Sequence, residues 1–380
     1  MGFRDRLVKS NIPRLDLQDY VILCVGKTKT GKTRLWKELI EYLYPNEPEA
    51  GLLLAWEDGY KSWKIDSFVA LHEIPNAWEV FKKEIVPDLV NEAKIGSKTK
   101  LLGLDTIDRM YEACCIFVLD KMNKKYGKTF ISMGDVGQTT KNADNAYTLV
   151  AEEITRELKK LTNAGYGLIE LGWTKENETE TIDGLKFQTL EMALSNSARK
   201  PFETEAHLIC CLYPETKVLN KAGELLEENA VNNKGKTIAS KFHSTEVYMY
   251  FRSNNYINIS GGRFLTLPEK VEYSAENFIA VFEEAVKGQL DENDNYQELK
   301  EKEVKNREEK VQEVLNKPEE DKEIEPEPET IESLTKKVMA KGMELKNNGT
   351  SNKELNKIIG SAKFKTIEEA QKVLDELNKL

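Results

Sequence analysis

The chain has 380 residues, 40% of them hydrophobic and 32% charged, with a formal net charge of −10. That suits a soluble protein with a real core and a very charged surface or tail. No run approaches the roughly 18 apolar residues of a membrane span, and the opening MGFRDRLVKSNIPRLDL lacks the apolar core of a signal peptide. A cytoplasmic protein with no membrane association is therefore expected. The acidity is local: residues 291–330 carry a balance of −9 and residues 331–380 one of +3, which leaves −4 for the first 290. The net charge thus does not exclude a basic groove on the main domain.

Residues 1–290 alternate short apolar runs with amphipathic stretches, the pattern of an α/β domain. Strands are predicted at 20–25, 51–56, 101–105, 167–171 and 207–213, and helices at 33–44, 78–93, 107–124 and 146–164. In the last of these helices Leu149, Ile154, Leu158 and Leu161 recur near a 3.6-residue period. Further strands around a turn are predicted at 247–251 and 256–259, then a helix at 274–287 with Ser274 as N-cap and Glu276 in its first turn. Residues 291–330 are rich in like charges and interrupted by proline, which predicts a solvated acidic linker, disordered or partly helical. Residues 331–380 recover three apolar stripes: Leu334, Val338 and Met339; Leu355, Ile358 and Ile359; then Ile367, Ala370, Val373, Leu374 and Leu377. Thr366 and Glu369 form a capping box before the third stripe, and a small all-α C-terminal module is predicted. The five cysteines, Cys24, Cys114, Cys115, Cys210 and Cys211, sit in apolar runs without metal-ligand spacing and read as reduced, buried thiols.

The segment GKTKTGKT comprises Gly26, Lys27, Thr28, Lys29, Thr30, Gly31, Lys32 and Thr33, and fits G-x-x-x-x-G-K-[ST]. A nucleoside triphosphate needs many short donors at close range, and a glycine-rich turn supplies backbone N–H groups without Cβ clashes. VILCV before it reads as a buried strand and TRLWKELIEYLY after it as a helix whose N-terminal dipole favours anions. Lys32 would reach the β- and γ-phosphates, and the Thr33 hydroxyl would ligate magnesium. In KLLGLDTIDRMYE an apolar strand ends in Asp105, which can hold magnesium through water; Asp108, on the following turn, is the substitute. The same Asp105 can instead cap the next helix. In GLLLAWEDGYKS a second strand ends in Glu57 and Asp58; a strand-end carboxylate between the two other motifs is placed to orient water, with Glu57 preferred, while a polar turn before Gly59 is the other reading. GLIELGWTKENE offers Trp173, Thr174 and Lys175 at a position that can sense the γ-phosphate, against a buried Trp173 that merely packs. No acceptor-binding or lid motif is recognisable, which counts against a small-molecule kinase.

In this order and spacing, GKTKTGKT, LLLAWEDGYKS, LLGLDTIDRMYE and GYGLIELGW, with the closing RSNNYINISGGRFLTLPEKVEYSAENF, resemble the phage-encoded RecA-like AAA ATPases, the group that includes Sak-type single-strand annealing proteins. The resemblance covers most of residues 12–290 and not the tail. It implies a RecA-like P-loop core with a central, mostly parallel sheet flanked by helices, ATP with Mg2+, and work on single-stranded DNA in phage recombination, annealing or replication within the host cytoplasm. It carries Lys32 and Thr33 as phosphate and magnesium residues, Asp105 as the metal-holding acid and Glu57 as the catalytic acid. It further implies self-association with ATP near subunit interfaces, where Arg252 and Arg263 are candidates to reach a neighbour's nucleotide; local salt bridges are the other reading for both. Segments facing DNA would be 134–145, with Lys141, and 174–200, with Arg199 and Lys200 beside Phe202; a solvated loop is an equal reading of the second, which also carries four carboxylates. Relatives often have a Ser-His pair where this chain has Gly172 and Trp173. A second function class is a nucleotide-switched adaptor whose C-terminal module recruits a single-strand-binding protein or another replication or recombination protein.

Overall fold

The computed structural model describes residues 12–140, 145–180, 183–219, 225, 230–231, 237–238, 242–291, 295–315, 338, 341, 355, 364 and 366–377. The chain divides into two compact units, Met1–Asn316 and Lys317–Leu380.

The first unit is a three-layer α/β domain. Its strands in chain order are β1 (Val21–Gly26), β2 (Gly51–Ala55), β3 (Phe68–Ala70), β4 (Leu101–Asp105), β5 (Gly167–Glu180), β6 (Lys186–Met192), β7 (Leu208–Leu219), the short pair β8 (Ala230–Val231) and β9 (Thr237–Ile238), then β10 (Phe242–Tyr250), β11 (Gly261–Gly262) and β12 (Lys270–Glu272). The main sheet runs β12-β10-β7-β1-β5-β4-β2-β3, with β6 added to β5 and β11 to β7. All pairs from β7 across to β3 are parallel, whereas β10, β11, β12 and β6 join antiparallel. Strands buried on both faces read as near-continuous apolar runs, which is why VILCV and LLGL were legible as strands.

The helices are α1 (Lys32–Leu43), α2 (Ala77–Val80), α3 (Val86–Ile95), α4 (Ile107–Tyr126), α5 (Met133–Thr139), α6 (Ala146–Asn163), α7 (Asn196–Glu205), α8 (Ala275–Lys287) and α9 (Tyr296–Leu315). Alternation along the strands sends side chains to opposite cores. On one face Leu23, Val25, Leu104 and Leu168 meet Ile107, Met110, Ile154, Leu158 and Phe202 from α4, α6 and α7. On the other Ile22, Cys24, Ile169, Leu171 and Cys210 meet Leu35, Trp36, Leu39, Phe278 and Phe282 from α1 and α8. The cysteines are free; four are buried and Cys115 is half-buried.

Several elements differ from their sequence prediction. The expected helix at 78–93 is two α-helical pieces joined by a wider π turn at Phe81–Ile85. Pro87 lacks the N–H that would bond back one turn, and its ring would clash with the carbonyl four residues earlier; the wider turn accommodates both. Strands β5 and β7 run on well past 171 and 213, because each finds an antiparallel partner, β6 and β10 respectively. The expected strand at 256–259 is a turn with one bridge at Ile257, in which the Asn254 side chain accepts from the Tyr256 and Ile257 N–H groups. Ser274 caps α8 by accepting from the Asn277 N–H at 3.0 Å. Residues 296–315, within the stretch read as an acidic linker, form α9, whose Tyr296 and Leu299 pack against the second core.

In the second unit, Val338, Leu355 and Leu377 form a buried apolar cluster with Phe364, Val373 and Leu374 against it. The helix α10 (Ile367–Leu377) starts after Thr366, whose hydroxyl accepts from the Glu369 N–H at 3.2 Å. The other residues of the expected module lie outside the described residues. Among the described residues, no helix is long and apolar enough to cross a membrane.

Candidate active site

Strand β1 lies between β5 and β7, and its last residue, Gly26, is in register with Trp173 on one side and Leu212 on the other. Both neighbours continue beyond that level, so the loop after Gly26 sits between two antiparallel arms. The position, at the carboxyl ends of parallel strands where the connections diverge, is the usual crevice of open α/β sheets.

The loop is shaped by close approach. A Cβ on Gly26 would stand 2.7 Å from Thr30 Oγ1 and 2.8 Å from the Leu212 carbonyl oxygen, so only glycine fits. Lys29 and Gly31 have φ of 65° and 97°, which turn successive backbone groups inward. The Thr30 hydroxyl closes the loop by donating to the Lys27 carbonyl at 2.8 Å, and the Tyr273 hydroxyl, arriving from just before α8, donates to the Gly31 carbonyl at 3.0 Å. Helix α1 begins at Lys32 with its N-terminal N–H groups facing the loop. The Lys32 ammonium, 7% exposed, donates to the Gly26 and Lys27 carbonyls, each at 3.0 Å. Burial lowers its pKa, partly opposed by the carboxylates nearby.

Across from the loop, Thr33 Oγ1 donates to Asp105 Oδ2 at 2.6 Å. Asp105 is 1% exposed, and its Oδ1 has no hydrogen-bond partner. Burial raises its pKa, while the Thr33 hydroxyl and Lys32 pull it down. The Trp56 N–H donates to the Asp105 carbonyl at 2.6 Å, which locks the end of β2 to the end of β4. Glu57 follows and accepts weakly from Thr106 Oγ1 at 3.4 Å. Its pKa is pushed up to about 7 by burial and then by the charge of Asp105, against Lys32 and Arg109. A Cβ placed on Gly59 would lie 3.6 Å from Glu57 Oε1, 3.6 Å from Thr33 Oγ1 and 3.8 Å from Asp105 Oδ2. Three oxygens from three segments therefore border one small space that a methyl group would fill. A hydroxyl and two carboxylates, one of them with an orphaned buried oxygen, fit a hard divalent cation such as Mg2+.

Asp58 turns outward and pairs with Lys61 at 3.1 Å. Asp108 is buried, accepts the Trp173 N–H at 2.8 Å, and is pushed up to about 6 chiefly by burial. Trp173 is not at a strand end, since β5 passes through it into the first arm. The Arg109 guanidinium stacks over its ring, 5.1 Å from the centroid. Lys27 reaches Glu176 on the same arm at 2.6 Å, and the Tyr256 hydroxyl donates to the same carboxylate oxygen at 3.0 Å.

The remaining candidates are dispersed. Lys141 lies outside the described residues. Arg199 pairs with Glu203 one turn along α7 at 3.3 Å, and Lys200 lines a surface groove between α6 and α7. Arg252 follows β10 and is exposed beside Leu265 and Pro268. Arg263 donates to the Thr204 carbonyl at 2.7 Å and lies by the start of β7, at the sheet edge opposite the loop. Residues to which the sequence gave no role are Arg109, Tyr256 and Tyr273; their contacts to Trp173, Glu176 and the Gly31 carbonyl each span 64 or more positions of chain, and no local pattern announces them.

A pH-dependent stability follows from Glu57. Its folded pKa of about 7 lies above the ordinary glutamate value of 4.5. Its contribution to stability is therefore present below about pH 4.5 and lost as pH rises through about 7. The melting temperature of nucleotide-free Glu57→Gln is expected to exceed that of the parent by a margin that grows from pH 5 to pH 7.5 and then levels off. Differential scanning fluorimetry across that range checks this; a margin independent of pH would contradict the assigned burial.

A sequence model described as an AAA domain matches residues 18–254, more than half the chain. No curated protein matches the sequence. Among solved structures, a KaiC-like protein from the hyperthermophilic archaeon Pyrococcus horikoshii OT3 is 15% identical, with 70% of this chain and 98% of that one covered and a TM-score of 0.32. EssC (ATPases 2 and 3) from Geobacillus thermodenitrificans is also 15% identical, with 67% of this chain and 36% of that one covered and a TM-score of 0.29.

Proposed function

This chain belongs to the AAA domain family, and from that premise we propose that it hydrolyses ATP at residues 26–33 with Mg2+ and couples that cycle to single-stranded DNA in phage recombination, annealing or replication. The observation that carries the ATPase reading is the convergence of Thr33, Asp105 and Glu57 on one space beside the phosphate loop. Loop N–H groups and the start of α1 would hold the phosphates, and Lys32 would exchange its two carbonyl partners for β- and γ-phosphate oxygens. Thr33 and Asp105 would hold the magnesium. Bound there, the ion would neutralise charge on the β- and γ-phosphates. Glu57, titrating near 7, is poised to take the proton of a water that attacks the γ-phosphorus while the bond to the ADP oxygen breaks.

Support for single-stranded DNA comes from the arms. Tyr213 and Tyr256, half-exposed with ring centroids 5.4 Å apart, lie beside the loop, with Lys27 over Tyr213. Aromatic faces with lysines suit stacking plus phosphate contact without sequence preference. Lys141, Arg199 and Lys200 stay proposed as further contacts, and Arg252 and Arg263 as groups that act on a neighbouring subunit in an oligomer. A second reading, a nucleotide-switched adaptor for a single-strand-binding or other replication protein, is favoured by the separate compactness of Lys317–Leu380.

Fluorescence anisotropy with labelled oligonucleotides of increasing length, with and without ATP, tests the DNA reading. Length-dependent binding that weakens with salt is expected, and it should survive removal of residues 317–380. Absence of length-dependent binding at low salt would overturn it; loss of partner capture alone on truncation would favour the adaptor.

A further inference from the structure

Arg109 occupies the first turn of α4, four residues after Asp105 and one after Asp108. Its guanidinium lies over the Trp173 ring, and Trp173 is anchored from the same turn because its N–H donates to Asp108 at 2.8 Å. Strand β5, which carries Trp173, runs between β1 with the phosphate loop and β4 with Asp105. Trp173 is level with Gly26, and Leu171 with Asp105. Arg109 is thus held on the indole of the strand that lies between the strand of the phosphate loop and that of Asp105. Its charge is felt by Glu57, and the charges of Glu57 and Asp108 act on it in turn. Its ion-pair partner is Glu112, at 2.7 Å, with both side chains about half exposed. Exposed pairs of this kind are weak, so a phosphate would displace Glu112 readily. Arg263, by contrast, is tied to the Thr204 carbonyl by the start of β7, away from the loop.

We propose that Arg109 is a catalytic residue supplied by the same chain, whose guanidinium contacts the γ-phosphoryl group during hydrolysis, and that Trp173 is the positioning residue that presents it. This deepens the ATPase reading and rests on it. As water adds to the γ-phosphorus and the bond to the ADP oxygen breaks, the proton passes to Glu57. Negative charge then spreads over the equatorial and leaving oxygens, where a planar guanidinium offers paired donors. The indole at 173 acquires a purpose: it cannot accept a hydrogen bond, but its face holds a cation.

The test compares wild type, Arg109→Ala, Arg109→Lys, Trp173→Phe and Trp173→Ala. Arg109→Ala is expected to lower kcat by about 10²- to 10³-fold, with the KM for ATP and the affinity for ADP little changed. It should also lose the tighter binding of ADP with aluminium fluoride, a mimic of the transferring phosphoryl group. Arg109→Lys should restore little, because an ammonium lacks the planar fork. Trp173→Ala should act in the same direction and add little to Arg109→Ala, and Trp173→Phe, which keeps an aromatic face, should lie nearer wild type. ATP should change tryptophan fluorescence less in Trp173→Phe than in wild type. Arg109→Ala with wild-type turnover, or with undiminished aluminium fluoride binding, would overturn the proposal while leaving the ATPase reading intact. A wild-type protein that neither binds nor hydrolyses ATP would overturn both.

Discussion

Glu57→Gln is expected to slow ATP turnover by about 10²- to 10⁴-fold while ATP binding stays within a few fold of wild type. Glu57 is the half-buried carboxylate of the site that no short hydrogen bond engages: its Thr106 contact is 3.4 Å long, Asp105 accepts from the Thr33 hydroxyl at 2.6 Å, and Asp58 turns outward to Lys61. Glutamine keeps the shape and the hydrogen-bonding reach but accepts no proton. With a pKa near 7, the base is half ionised at neutral pH. Wild-type kcat/KM should therefore rise with pH through about 7, and the Gln variant should lose that limb. A pH–rate profile of both proteins beside an ATP-binding isotherm checks the pair of claims. Weak binding by Glu57→Gln would mean that Glu57 holds nucleotide rather than water.

Lys32→Met is expected to have an effect of similar size, with kcat/KM reduced by about 10³-fold, which corresponds to roughly 4 kcal/mol. The ammonium is already desolvated and bonded to two loop carbonyls, so it is organised for phosphate before any ligand arrives. Its lowered pKa reports that the charge is held there at a cost. An apolar side chain of similar length removes that cost as well as the bonds, so the melting temperature should move little. Phosphate release and thermal melting, measured together, separate a lost phosphate contact from a lost fold.

The grouping of Lys32, Thr33, Asp105 and Glu57 was legible because it is built from strand ends and the loop after one of them. A buried parallel strand reads as an apolar run, and the first polar residue after it stands at the carboxyl edge; Asp105 and Glu57 follow from that rule, and Lys32 and Thr33 from the glycine-spaced loop. The arms were not legible. TKENETE has no apolar alternation and reads as loop, yet it is strand because β6 pairs with it, and diagonal side-chain bonds join Thr179 to Thr189 and Lys186 to Glu178. Strand character there comes from a partner rather than from propensity. The π turn before Pro87 was missed because the apolar period continues through it. Arg109 stood unmarked in its helix; it pairs with Glu112 one turn along, and its other neighbour, Trp173, comes from strand β5. The same holds for Tyr273, which touches the loop 242 positions from Gly31 in sequence.

The most direct measurement of the central claim is magnesium-dependent phosphate release from ATP by the purified full-length chain, with Lys32→Met run in parallel. The arrangement of Lys32, Thr33, Asp105 and Glu57 predicts release by wild type that stops when magnesium is chelated and is absent in the variant. A folded wild-type chain that releases no phosphate and binds no ATP, or a Lys32→Met protein as active as its parent, would contradict it.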